Sequence, residues 1–206
     1  MKRLIIAVVL ASLNVVAHAG DVEAGKKAYW TCAACHGAEG QGSARLNAPS
    51  LAGQHGWYLE RHLNSFRAGT RGYEKGDLFG RQMYSMSLTL VEDGGVEDVV
   101  AYINTLPASK PETTLSGDAT KGETLYAVCS ACHGANGEGN DALNAPKLAG
   151  QHDWYLARQL QYFKNGARGA NPDDQYGASM IGMAATLADE QAIKDVVAYI
   201  SSLSAD

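Results

Sequence analysis

The sequence has little positive charge and, after its first nineteen residues, no long apolar run. Lysine and arginine number 17 against 22 aspartate and glutamate residues, a balance that argues against a nucleic-acid partner. No later stretch is apolar over the roughly 20 residues that a transmembrane helix needs. Alternating strand patterns are also missing, so we predict an all-α protein.

The apolar segment at the N-terminus has the form of an export signal. Lys2 and Arg3 precede an apolar run over residues 4–13, which is too short to span a bilayer, and Ala-His-Ala at 17–19 is a typical cleavage site. We therefore predict a signal peptide over residues 1–19, with an uncleaved anchor as the alternative. The mature chain is expected in the periplasm, either free or peripherally associated with a membrane face.

Cysteine is scarce, and all four residues fall into two matching motifs, Cys32-Ala33-Ala34-Cys35-His36 and Cys129-Ser130-Ala131-Cys132-His133. Two thiols at this spacing can add to the two vinyl groups of one porphyrin, while the next residue's imidazole binds the iron. A thioredoxin-like pair, half a zinc site or a disulfide would not require that histidine. We predict two covalently bound haem c groups, attached at Cys32, Cys35, Cys129 and Cys132, with His36 and His133 as iron ligands.

The two motifs belong to a tandem duplication. Adding 97 to a residue number in the first half gives its counterpart in the second without a gap, from Gly20 and Gly117 to the last helix. We predict a first domain over 20–106, a proline-bearing linker over 107–116 and a second domain over 117–206. The first carries eight basic and ten acidic side chains, net −2, whereas residues 107–206 carry seven and twelve, net −5. The second half should be the more acidic end of a dipole.

Three helical stretches can be predicted in each copy. Asp21 and Asp118 are good N-caps for a first helix that ends in the haem motif. Apolar stripes predict middle helices over 57–68 and 154–167, and valine and isoleucine at helical spacing predict a final helix in each copy. Glycine inside the first helix, at 25 and 122, costs about 1 kcal/mol relative to alanine. We therefore expect another helix to pack closely there, with Tyr102 and Tyr199 as partners.

The second axial ligand of each iron must come from residues that recur in both copies. The candidates are three pairs: Met83 with Met180, Met86 with Met183, and His55 with His152. Four of the five methionines form matched pairs just ahead of the last helix of each copy. Methionines that only fill gaps in a core would be scattered along the chain. His62 has no counterpart, since Gln159 stands there, and is interpreted as a surface residue on an amphipathic helix.

Each copy has a helix with the haem motif, a proline-bearing loop, a middle helix, a methionine loop and a final helix, an order that resembles that of class I cytochrome c domains. Two such domains after a signal peptide resemble the cytochrome c₄ family. The resemblance covers essentially the whole mature chain and implies that each domain wraps around one covalent haem. It selects Met83 and Met180 as ligands, because the family methionine lies seven residues before the apolar residue here at Leu90 or Leu187. It also implies that the carbonyls of Pro49 and Pro146 accept a hydrogen bond from the proximal histidines. The family usually has Ser or Thr as the N-cap of the final helix, where Val91 and Ala188 stand here, so that helix should begin less sharply.

Two histidine/methionine irons with no vacant position predict an electron carrier with no catalytic residues. The resemblance implies transfer from a quinol-oxidising complex or dehydrogenase to a terminal oxidase or reductase. A tightly bound cytochrome subunit of a flavin-dependent dehydrogenase, such as a sulfide dehydrogenase, is the main alternative. A dihaem peroxidase is a further alternative, although the methionine in both copies and the short chain count against it.

Overall fold

A computed structural model describes residues 20–204, so the predicted signal peptide lies outside the described residues. The described part contains eight α-helices and no strand, which confirms the all-α prediction. The first four helices are α1 (Val22–His36), α2 (Gly56–Arg67), α3 (Leu78–Ser87) and α4 (Gly95–Ile103). The second four are α5 (Ala119–His133), α6 (Asp153–Lys164), α7 (Gln175–Ala185) and α8 (Glu190–Ser202), with a 3₁₀ turn at Asp141–Leu143.

Each domain has four helices, so the prediction of three was wrong. The additional helices, α3 and α7, contain the paired methionines, in segments that we expected to be loops. Asp77 and Asp174 begin them, because their carboxylates accept hydrogen bonds from the N–H groups of Gly80 and Gly177. These aspartates were the local signal that the predicted pattern omitted.

The helix with the haem motif packs directly against the last helix of its domain. An alanine Cβ at residue 25 would lie 1.9 Å from the carbonyl oxygen of Asp98 and 3.1 Å from Cβ of Tyr102, so only glycine fits. At Gly122 the corresponding distance to the carbonyl oxygen of Asp195 is 2.0 Å. The expected close approach of two helices is confirmed in both domains, and it fixes where the haem motif begins.

The core of each domain is built mainly from the last helix. In the first domain the buried cluster consists of Tyr29, Leu59, Leu90, Val96, Val99, Val100 and Ile103. Its counterpart consists of Tyr126, Leu156, Leu187, Ile193, Val196, Val197 and Ile200.

The final helix lacks a side-chain N-cap only in the first domain, where Gly94 precedes it. In the second domain Asp189 caps the helix, so the expectation of a less sharp start was wrong there.

The two domains face each other through reciprocal contacts. The side-chain amide of Gln54 bonds both the N–H and the carbonyl of Lys147, and that of Gln151 bonds both groups of Ser50 in the same way. Since Lys147 is the counterpart of Ser50, and Gln151 that of Gln54, the contact is isologous, like that of a symmetric dimer.

No helix within residues 20–204 has the length and apolar composition of a membrane span.

Candidate functional site

The haem-attachment residues lie at the C-terminal ends of α1 and α5. Cys32 and Cys129 are half-buried, Cys35 and Cys132 are exposed, and none forms a disulfide. The histidine that follows the second cysteine is the last residue of each helix, and a glycine with positive φ, Gly37 or Gly134, turns the chain away. One helical turn therefore presents two thiols and an imidazole to the same side.

Each proximal histidine is oriented by a proline carbonyl. Nδ1–H of His36 donates to the carbonyl of Pro49 at 2.9 Å, and that of His133 donates to Pro146 at the same distance. Nδ1–H is thereby occupied, which leaves Nε2 as the nitrogen that can bind iron. Both rings are buried, and burial lowers the pKa of each imidazole, with the carbonyl hydrogen bond opposing. The histidines are consequently held neutral, as metal ligation requires.

The loop that carries each proline is held by the other domain. Asn47 has a φ of 57°, in the left-handed region that asparagine tolerates. The guanidinium of Arg158 donates to its side-chain oxygen at 2.8 Å and to its carbonyl at 3.0 Å. Arg61 makes the reciprocal bonds to Asn144. The orientation of each proximal histidine thus depends on an arginine of the opposite domain.

Both methionines of each pair line the same cavity as the haem motif of their domain. In the first domain Met83 is half-buried, whereas Met86 is 37% exposed. In the second domain Met180 and Met183 are both half-buried. The structure therefore brings together His36 with the methionines of α3, and His133 with those of α7. The choice within each pair stays a prediction.

A cavity of about 880 Å³ runs through both domains and is lined by the haem motifs, the four methionines and many leucines. Three arginines that line it, at positions 71, 158 and 168, have a buried Nε with no hydrogen-bond partner within residues 20–204. A haem is a large apolar ring with two carboxylates, and buried guanidinium N–H groups are strong donors for carboxylates. The thiols, imidazoles, apolar walls and unpaired N–H groups therefore fit a haem in each domain.

A closed ring of four polar side chains lies at the centre of the interface. The Oε1 atom of Gln159 accepts from Arg71 at 3.0 Å and from Arg168 at 2.7 Å. The same two guanidinium groups approach the His62 ring, at 3.0 Å from Nδ1 and 2.9 Å from Nε2. A neutral imidazole has one acceptor nitrogen, so the ring cannot accept from the two guanidinium groups at separate nitrogens.

His62 was therefore wrongly interpreted as a surface residue, because the exposed-looking face of α2 is covered by the second domain. Burial lowers its pKa well below the usual value, and the charges of Arg71 and Arg168 lower it further. Sequence reasoning missed the two arginines. Their recurrence at a spacing of 97 residues was the available signal.

His55 and His152 also belong to the interface. Nε2 of His55 lies 2.7 Å from the carbonyl oxygen of Glu138, and Nε2 of His152 lies 2.9 Å from that of Gln41. A carbonyl accepts only, so each Nε2 carries the proton and donates across the interface. Neither ring lines the cavity, which is consistent with a methionine as the second axial ligand.

Comparison with known proteins gives concordant results. The Cytochrome c family profile matches residues 22–107 and again 119–204. The chain is 35% identical to cytochrome c4 of Azotobacter vinelandii, over 98% of this chain and 99% of that protein. It is 31% identical to the thiosulfate dehydrogenase electron acceptor of Stutzerimonas stutzeri, over 71% of this chain and 68% of that protein. The structure matches that of reduced recombinant cytochrome c4 from Pseudomonas stutzeri with a TM-score of 0.69 and 34% identity, covering 90% of this chain and 100% of the other.

Proposed function

Because the chain belongs to the cytochrome c₄ family of dihaem electron-transfer proteins, with two covalent haem c groups, we propose that it is a periplasmic electron carrier. Its donor would be a quinol-oxidising complex or a dehydrogenase, and its acceptor a terminal oxidase or reductase. The observation that carries the proposal is that each domain directs one oriented imidazole and two methionines into a single haem crevice. No catalytic residue is assigned.

We assign Cys32, Cys35, Cys129 and Cys132 to haem attachment, His36 and His133 to the proximal side, and Met83 and Met180 to the other. A haem with histidine and thioether ligands supplies one-electron transfer at a raised potential and leaves no position for a substrate. The chain's own contribution is geometric. The proline carbonyls orient the imidazoles, and the arginines of the interface supply donors for the carboxylates of the haems.

The interface suggests how an electron crosses from one domain to the other. The polar ring of Arg71, Gln159, Arg168 and His62 lies at the domain interface. All four side chains contact the opposite domain, because Arg71 bonds Gln159 and Arg168 bonds His62. Reciprocal hydrogen bonds at Gln54 and Gln151 hold the two domains in one arrangement. A rigid arrangement of this kind would hold two bound haems at a constant separation.

Ligand exchange tests the assignment of the methionines. Met83→His should keep its iron low-spin but lower the midpoint potential of that haem, because imidazole favours ferric iron more than a thioether does. Met86→His is the matched control on the same helix and should leave both potentials unchanged. Protein film voltammetry resolves the two potentials. A shift with Met86→His and none with Met83→His would show that the ligand is the other methionine.

The proposed function as a whole is tested by haem content and spin state. We expect two haems per chain, both low-spin at neutral pH, each with the charge-transfer band of a ferric iron bound to methionine. One haem per chain, or a high-spin iron that binds peroxide, would refute the carrier and favour a peroxidase.

A second candidate function follows from the likeness to a thiosulfate dehydrogenase electron acceptor. In this case the chain would accept electrons from one dehydrogenase to which it is permanently bound. It would then be a tightly bound cytochrome subunit, as in the main alternative of the sequence analysis. Purification from periplasm in high salt separates the two candidates. A single chain without a partner is expected of a carrier, whereas a stoichiometric partner with dehydrogenase activity would establish the subunit.

A further inference from the structure

Trp30 is the most exposed of the large apolar side chains in residues 20–204, with 83% of its surface accessible. It lies on the outer face of α1, two residues before the haem-attachment cysteine Cys32. Its neighbour Thr31 lines the haem cavity. Burial of such a side chain against another surface is favourable, and tryptophan is among the residues that contribute most to protein interfaces. A partner that covers Trp30 would sit beside the first haem.

Two lysines surround this tryptophan on the same helical face. Lys26 and Lys27 precede Trp30 by four and three residues, the spacings at which helical side chains are neighbours. Both are exposed, and neither forms an ion pair with a carboxylate of residues 20–204. Glu23 lies one turn further from the haem motif on this face. The charge nearest to Trp30 is therefore positive, although the mature chain is acidic.

The second domain lacks this surface. The positions that match Lys26, Lys27 and Trp30 are Glu123, Thr124 and Ala127, which are exposed on α5. The backbone of the two helices is the same and both end in a haem motif, so the difference lies in the side chains alone. Fold and haem binding do not require Lys-Lys-Trp, because α5 forms without them.

We propose that Lys26, Lys27 and Trp30 form a docking surface through which the first domain exchanges electrons with a redox protein that presents acidic residues around an apolar centre. The inference rests on the proposed carrier function and adds to it the chemistry of one partner and the domain that it meets. Charge complementarity carries the choice of an acidic protein, because neither lysine forms an ion pair with a carboxylate of residues 20–204. The acidic second domain would repel the same partner and leave only one productive orientation.

The test uses the full haem-loaded protein and reduced flavodoxin, an acidic one-electron donor, as the probe. Stopped-flow spectroscopy follows haem reduction at low salt. Lys27→Glu and Trp30→Ala should each lower the second-order rate constant by roughly 3- to 10-fold, since steering and hot-spot contacts are lost. Lys110→Glu, the same charge change in the linker, should alter it by less than about 2-fold. The effect of Lys27→Glu should largely disappear near 0.5 M salt, where charges are screened within about 4 Å.

A reciprocal transplant gives the gain of function. Glu123→Lys, Thr124→Lys and Ala127→Trp together should raise the rate with flavodoxin above that of the wild type, because the second domain then offers the same surface. Haem content, spin state and the two potentials are measured for every variant. These readouts test the carrier function separately, since they do not depend on where a partner docks.

Three results would overturn the docking proposal while leaving the carrier function intact. Rates with flavodoxin that are equal for wild type, Lys27→Glu and Trp30→Ala would remove the docking role. Co-sedimentation with phosphatidylglycerol vesicles that Trp30→Ala abolishes, at unchanged rates, would reassign the surface to a membrane. A dimer that Trp30→Ala converts to a monomer, again at unchanged rates, would reassign it to a second copy of the chain.

Discussion

Replacing Gly25 by alanine is expected to destabilise the first domain, although alanine is the better helix former. Alanine in place of glycine inside a helix is worth about 1 kcal/mol. Against this gain, the new Cβ would lie 1.9 Å from the carbonyl oxygen of Asp98, so α1 and α4 must move apart by more than an ångström. Overpacking of this kind costs typically 1–3 kcal/mol and more where backbone is the obstacle. A cost at the upper end of this range, about 3 kcal/mol, less the gain of about 1 kcal/mol, gives an expected net loss of about 2 kcal/mol.

The measurement is guanidinium-induced unfolding of the haem-loaded protein, followed by circular dichroism. Gly182→Ala is the matched control, because Gly182 lies inside α7 and no atom outside its own helical neighbourhood lies within 4 Å of its would-be Cβ. This variant should be more stable by up to about 1 kcal/mol. Gly122→Ala should repeat the loss in the second domain. If Gly25→Ala were as stable as Gly182→Ala, the close contact between α1 and α4 would be refuted.

Three further predictions concern the interface, the linker and the acidic domain. Arg158→Ala should shift the paramagnetic NMR resonances of the haem in both domains, because Arg158 lies in the second domain and holds Asn47 of the first. An effect confined to the second domain would contradict this role. Burial raises the pKa of Asp153, but hydrogen bonds from Leu115, Thr114 and Trp154 outweigh burial and hold it below the usual value. The stability that Asp153 contributes is therefore present above its ordinary pKa and lost as pH falls through the lowered pKa. Asp153→Asn should reduce stability at neutral pH by about 1 kcal/mol. It should also flatten the decline of stability below about pH 5, which urea titrations at several pH values can check. Asp173→Asn should weaken the salt dependence of the electron-transfer rate with a basic redox protein. Asp174 is not a suitable position for this test, because it caps α7. An unchanged dependence of the rate on salt would deny the acidic domain a docking role.

The sequence alone determined the chemistry of the two sites and the class of fold. Covalent attachment of haem depends on a spacing of a few residues, and such local spacing is read directly from Cys32 to His36 and from Cys129 to His133. The duplication and the helical periodicity predicted two all-α domains. The glycines at 25 and 122 indicated close helix packing, because a glycine inside a helix is unfavourable unless something offsets its cost.

The helices that carry the methionines show where local reasoning was incomplete. We expected loops at α3 and α7, but Asp77 and Asp174 accept hydrogen bonds from the first turn and start a helix in each case. A helix of ten or eleven residues is only marginally stable by itself, even with a good N-cap, so its free energy is close to that of a loop. Tertiary packing therefore decides which of the two forms.

Only the tertiary structure decided how the two copies face each other. Arg71 meets Gln159 and Arg168 meets His62 across sequence separations of 88 and 106 residues, which no periodicity encodes. A polar side chain on an amphipathic helix satisfies the same pattern whether it meets water or a second domain. The arginine that clamps each proximal loop, and the polar ring at the domain interface, therefore followed from contacts between domains and could not be predicted within either one.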